Sequence, residues 1–258
     1  MLLFELLVVF MLGSCFGSFF NVCIYRIPIK KSIVFPRSHC PVCSTPIPTW
    51  LNIPYFGWLL TLGKCHSCKA KIHWHYMLVE FTTGTLFSLL YLNFGPNLVF
   101  LKYVVLVGFL IIIFFIDLFH KIIPDSLSLP LVPLGLIFAA LKMTDVGLKG
   151  SLIGGGAGFL FFYGIALIYW LLTKKMGLGG GDIKLIAGIG VFLGIVGVFF
   201  TIFSSAALAL IVALIRGRNV KSEVPYGPYL VAGTLVHIFF GYKIIYWYLD
   251  LFLNTAYL

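Results

Sequence analysis

The cysteines at 40, 43, 65 and 68 stand as two Cys-x-x-Cys pairs, CPVC and CHSC, with 21 residues between them. Each pair can aim two thiolates at one point, and two such pairs supply a closed tetrahedral shell for Zn²⁺. A closed shell of four cysteines does no chemistry; it holds a loop in shape. The alternatives are disulfides or idle thiols, and a reducing cytoplasmic face disfavours the first of these. His39 and His66 adjoin the ligands and read as supporting or surface groups. Cys15 and Cys23 fall in an apolar run, where a thiol packs as a small apolar side chain.

Asp and Glu together number only 8, so each acid can be weighed. Glu5, Asp145 and Asp250 lie at the ends of apolar runs and read as solvated interfacial carboxylates. Asp125, in IIPDSLSLP, follows Pro124 and opens a new apolar run, so its side chain is expected to cap a helix. Asp117 differs, because FLIIIFFIDLFH sets it in the last turn of an apolar run with no basic partner in that run. Asp182 follows Gly179, Gly180 and Gly181 in GLGGGDIKL, where the glycines let the backbone bend and approach a neighbour closely. That placement lets Asp182 face Asp117. Two carboxylates close together in a low dielectric cannot both ionise, so such a pair shares a proton. One member then acts as general base on a water and the other donates to a scissile carbonyl, the chemistry of peptide hydrolysis. The same residues also allow separate pairing with Lys121 or Lys184, or an ion path as in transporters.

The elements that must position these groups are membrane helices. The chain of 258 residues is 61% apolar and 10% charged, with mean hydropathy +1.08, whereas soluble domains carry about a quarter charged residues. Apolar runs of roughly 20 residues imply α-helical crossings, and no alternating ten-residue pattern suggests a barrel. Spans are expected near 3–24, 77–95, 98–119, 126–142, 151–172, 183–197, 198–215 and 229–249. The sixth and seventh are cut from one run that a single tilted helix would also satisfy. Pro130 and Pro133 are expected to kink the fourth. The first span lacks a basic start and a cleavage site, so it is not read as a removable signal. The fold class is therefore all-α, a polytopic membrane protein of about eight transmembrane helices.

The formal charge of +10 reflects topology, and no nucleic-acid partner is expected. With both termini outside, fourteen Lys and Arg fall in inner loops and only Lys102, Lys142, Lys149 and Lys243 in the outer half. Residues 1–25 form the first helix, residues 26–75 a cytoplasmic zinc-ribbon-like module, and residues 76–258 the membrane core bearing both aspartates.

The stretches GSFFNVCIYRIP (17–28), CPVC with IPTWLNIPYFGWL, GKCHSC, HYMLVE ending at Glu80, DLFHKIIPD, GLGGGDIKL and PYGPYL (225–230) together resemble the type IV prepilin peptidase family. These are bifunctional leader peptidases and N-methyltransferases, and the likeness covers nearly the whole chain. It implies that Asp117 and Asp182 are the catalytic aspartates of a GxGD-type intramembrane protease, with Gly179, Gly181 and Lys184 supporting the catalytic loop. The implied substrates are prepilins or pseudopilins, whose basic leader ends in glycine before an apolar helix. The implied location is the bacterial inner membrane, among membrane lipid. The released amine would be methylated from S-adenosylmethionine, for which Glu80 is the candidate residue. Glu223, Asn21 and Arg26 are candidate substrate contacts. His75 and Met77 stand where the family usually has arginine and proline, a departure that bears on methylation and leaves the GxGD core untouched.

Overall fold

A computed structural model describes residues 1–144, 146–175, 177–217 and 225–255 of the chain. Glu223, Asp145, Arg218 and Lys221 lie outside the described residues. The described chain is helical, with no β-strand beyond two isolated bridges. Two compact units are formed, Met1–His120 and Lys121–Leu258.

In the first unit, α1 (Leu2–Arg26) leads into the cysteine-rich insertion, which holds a 3₁₀ turn (Thr49–Asn52) and the short α2 (Phe56–Leu60). The chain then enters α3 (His75–Phe94) and α4 (Leu98–His120). Helices in lipid gain little from apolar burial against one another, so close packing through small residues holds them. Gly13 of α1 lies against the backbone of Gly84 in α3. Lys102, in the outer half of the expected third span, lies within α4, fully buried, with its Nζ 4.2 Å from the centre of the Tyr103 ring.

The second unit contains α5 (Asp125–Ala140), α6 (Gly147–Thr173) and α7 (Gly180–Arg216). The last span is built from α8 (Gly227–Val236), a π turn (His237–Gly241) and α9 (Tyr242–Thr255). Among the described residues, six helical segments are long and apolar enough to cross a membrane, and α5 is apolar but shorter. At 16 residues α5 reaches about 24 Å, short of a hydrocarbon core of about 30 Å. Its helix runs on through both Pro130 and Pro133.

The 37-residue α7 is broken at Gly194, where φ is 71° and ψ −174°. That backbone region is open essentially to glycine alone. The arms on either side double back. A Cβ on Gly158 of α6 would lie 2.9 Å from both the Ile186 carbonyl and a Val198 methyl. In a straight helix those two residues would be about 18 Å apart, too far for one atom to meet both. The run is therefore two antiparallel arms, residues 180–193 and 195–216, turning three residues earlier than the expected cut after 197. Against the eight expected spans, the described residues give the six long segments, the shorter α5, and a further division where α7 breaks at Gly194.

Candidate functional site

Local backbone turns build the cysteine cluster. In each Cys-x-x-Cys stretch the first cysteine's amide donates to a carbonyl five residues on, Cys40 to Thr45 at 3.0 Å and Cys65 to Ala70 at 2.8 Å. The fourth residue after each first cysteine, Ser44 and Lys69, takes positive φ, and antiparallel bridges His39 to Pro46 and Lys64 to Lys71 close the two loops. The loops face each other. Cys40 and Cys68 sulfurs are 3.8 Å apart, Cys43 and Cys65 sulfurs 3.9 Å, and all four lie within 4.8 Å of one another. A tetrahedron of metal–sulfur bonds near 2.3 Å has edges of about 3.8 Å, while a disulfide requires about 2.05 Å. The tetrad is thus shaped to hold a metal ion.

Thiolates are the ligand form, and the loops favour them unevenly. Hydrogen bonds from the Thr45 hydroxyl and amide hold the Cys43 thiol down to about 6. The Cys68 and Ser67 amides lower Cys65. The Ala70 amide pulls Cys68 down, but burial and the three neighbouring sulfurs outweigh it and push this thiol up to about 11. Four sulfurs this close resist full ionisation unless a cation sits among them.

Of three expected site residues, two tie this insertion to the helices and one joins the helices that flank it. Arg26 is buried at the end of α1, and its guanidinium donates to the carbonyls of Ser32 (2.9 Å), Pro36 (2.8 Å) and Arg37 (3.5 Å). The Asn21 amide donates to the Tyr76 carbonyl at 2.9 Å, joining α1 to the start of α3. Glu80 of α3 accepts the Tyr55 backbone N–H at 2.9 Å, and the Tyr55 hydroxyl lies 2.6 Å from Ser14 of α1. Tyr55 has φ 62°, so the Glu80 carboxylate fixes a left-handed turn.

Asp117 belongs to the first unit, in the last turn of α4, and is 4% exposed. Phe115, Phe119 and His75 cluster near this end, their rings tilted to one another, with ring centres 6.0 Å apart for Phe115 and Phe119 and 5.3 Å apart for His75 and Phe119.

Asp182 belongs to the second unit, in the first turn of α7, with Gly179 as N-cap. Its amide donates to the Gly179 carbonyl at 3.1 Å, and its carboxylate folds back over that glycine. A Cβ at 179 would lie 2.9 Å from Asp182 Oδ2, and one at 181 would lie 2.7 Å from the Ile123 side chain. Gly179 therefore makes room for the carboxylate, and Gly181 lets the start of α7 lie against the segment before α5.

Lys184 corrects the expectation for Asp125. Its Nζ donates to both oxygens of Asp125, at 2.7 and 2.8 Å, so it is committed to that carboxylate. Asp125 in turn is not a cap: it is the first residue of α5, Pro124 holds the N-cap position, and no side-chain capping bond is made. A lysine one turn into α7 competes successfully for the carboxylate that the local sequence offers to its own helix.

Sequence reasoning missed the Tyr226 contact. Its hydroxyl is 2.8 Å from Ser205 Oγ. Burial and the nearby Asp182 carboxylate push the Tyr226 phenol up against the opposing effect of the Ser205 bond. Tyr226 can meet both arms of α7 only because the helix turns back at Gly194. The signal was present as two serines, 204 and 205, inside an apolar run opposite the PYGPYL stretch.

These features define a polytopic α-helical membrane protein with a cysteine-rich insertion after its first helix. The chain belongs to the type IV leader peptidase family: that family's profile matches residues 104–214, which include both aspartates, and the bacterial peptidase A24 N-terminal domain matches residues 11–94, which include the four cysteines. The chain is 37% identical over 250 residues to the prepilin leader peptidase/N-methyltransferase of Neisseria gonorrhoeae, covering 87% of each chain. It is 33% identical to that of Aeromonas hydrophila, covering 95% of this chain and 94% of the relative. The protein of the same name from Legionella pneumophila is 31% identical, with 95% of each covered. No solved structure matches the chain.

Proposed function

We propose that the protein removes the leader peptide of prepilins or pseudopilins at the cytoplasmic face of the bacterial inner membrane and then methylates the new N-terminus. The observation that carries the peptidase reading is the start of α7, where Gly179 has no side chain and the Asp182 carboxylate occupies the space. A helix opening built to present a carboxylate is hard to explain in a passive scaffold. Pairing of Asp182 with Lys184, which a purely structural reading would favour, is opposed by the commitment of Lys184 to Asp125.

In this reading Asp117 and Asp182 act as a dyad. Asp182 takes a proton from water as the water oxygen bonds to the scissile carbonyl carbon, and Asp117 gives its proton to the carbonyl oxygen. When the tetrahedral intermediate collapses, the C–N bond breaks and the departing nitrogen takes the proton held by Asp182; Asp117 recovers its own from the oxygen. The assignment follows the helix ends. Free N–H groups at the start of a helix favour a carboxylate, whereas free carbonyls at a helix end favour a proton donor.

Residues 26–75 act as a cytoplasmic module, with Zn²⁺ held by Cys40, Cys43, Cys65 and Cys68 in a structural role, and residues 76–258 as the protease core. Glu223 supplies counter-charge to the basic leader. Asn21 and Arg26 enter as supports of the module, through the bonds described above. S-adenosylmethionine would supply the methyl group. The Glu80 carboxylate is buried and bonded to the Tyr55 amide, and in this reading it acts on methylation through the module it anchors. Both termini lie outside, as the charge distribution favours.

The test is incubation of the purified protein with a prepilin in detergent, with and without S-adenosylmethionine, read by intact mass. Loss of the leader, then a gain of one methyl mass only when the donor is present, is the expected result. A processed product that never gains the methyl would restrict the function to proteolysis, and an unprocessed prepilin would end the peptidase reading.

A further inference from the structure

The guanidinium of Arg26 is buried yet meets only neutral carbonyl oxygens, those of Ser32, Pro36 and Arg37. Among the described residues the one ion pair is Lys184 with Asp125, so no carboxylate balances this charge. A buried cation without a counter-charge is destabilising unless something else supplies one. Three bonds also leave two of the five guanidinium N–H groups for another acceptor.

Arg26 forms part of the wall of a cleft of about 610 Å³ between the end of α1 and the 33–49 segment. The exposed Arg37 lines it as well, and no acid does. The rest of the lining is largely apolar, including Phe19 and Val22 of α1 together with Ile33, Val34 and Ile47. The charge bias extends beyond the cleft, since residues 26–75 hold seven Lys and Arg and no Asp or Glu. Phe16 and Phe19, on the membrane helix leading to the cleft, are 54% and 45% exposed.

We infer that this cleft is a seat for an acidic phospholipid, its phosphate between Arg26 and Arg37 and the upper part of its acyl chain along Phe19 and Val22. An anion supplies the missing counter-charge, bidentate N–H donors suit phosphate oxygens, and basic pockets at the cytoplasmic ends of membrane helices take such headgroups. A cationic ligand such as a sulfonium is disfavoured by two arginines with no acid. The apolar wall joined to an exposed helix face favours a lipid over a free anion. The bound lipid fixes the junction between α1 and the cysteine module.

The experiment uses the full chain, delipidated in neutral detergent, and follows its thermal unfolding during titration with phosphatidylglycerol, phosphatidylcholine of the same chains, or inorganic phosphate. Phosphatidylglycerol alone is expected to raise the transition temperature in a saturable manner. Arg37→Glu is expected to weaken that response about tenfold, the size of one charge-assisted contact. Val22→Trp, which fills the apolar part and leaves both arginines, is expected to weaken it similarly. Equal responses to both lipids, a full response to phosphate, or unchanged phosphatidylglycerol binding in both variants would overturn the assignment. Circular dichroism reports whether each variant folds, and if Arg37→Glu does not, the result with Val22→Trp decides.

Discussion

Asp117 closes a helix and Asp182 opens one. The first is nearly enclosed in the final turn of α4 among aromatic rings, and the second is half-buried in the first turn of α7 behind a glycine that clears space for it. The same side chain therefore sits in opposite helix-end fields, and in the proposed dyad that difference would give two chemically identical groups distinct parts. A pair of equivalent acids would need another source of asymmetry; the proposed dyad takes it from the two helix ends.

That contrast sets the largest expected effects. Asn at position 182 removes the base and should reduce leader cleavage by roughly 10³-fold or more. Asn at position 117 still donates a hydrogen bond to the carbonyl, so Asp117→Asn should retain roughly tenfold more residual rate than Asp182→Asn in single-turnover assays. Equal residual rates would remove the asymmetry. Replacing Cys40 and Cys43 with Ser should release zinc and expose residues 26–75 to protease, because the two loops have little else to hold them together; a metal-free wild type with equal protease resistance would contradict this.

Smaller changes sharpen the comparison at Asp182. Gly179→Ala places a methyl against Oδ2 and should lower kcat by about ten- to a hundredfold with the thermal transition nearly unchanged. No equivalent glycine precedes Asp117. Gly194→Ala forces a side chain into glycine-only backbone and toward Val146, and should destabilise the protein by about 1–3 kcal/mol in a reversible unfolding assay. Lys184→Met, which removes a solvent-accessible ion pair with Asp125, should change stability by less than about 1 kcal/mol and leave cleavage within a few-fold.

Much of this was legible in the sequence because its causes are local. Apolar runs fix helices in lipid, and each Cys-x-x-Cys loop closes within a few residues, so the embedded segments and the cysteine tetrad could be read directly. Gly194 was harder, since Gly190, Gly194 and Gly197 offer equivalent turning points and only contacts with α6 select one. The role of Asp125 was misread for a related reason: a helix-start carboxylate looks like a cap until a lysine 59 residues away claims it. Asn21, Arg26 and Glu80 were singled out through the family resemblance, but the residue types do not reveal which backbone groups they bond, in the insertion or at the start of α3. Asp182 shows the converse, because the glycines that mark it in the sequence are explained by what their missing side chains would strike.

The most direct test of the account is cleavage of a prepilin in detergent by the wild type, Asp117→Asn and Asp182→Asn proteins, read by intact mass with circular dichroism confirming each fold. The account predicts that the wild type releases the leader after its terminal glycine and that both folded variants leave the prepilin intact on the wild-type timescale. Cleavage at the wild-type rate by either folded variant would show that its aspartate is not part of the catalytic pair.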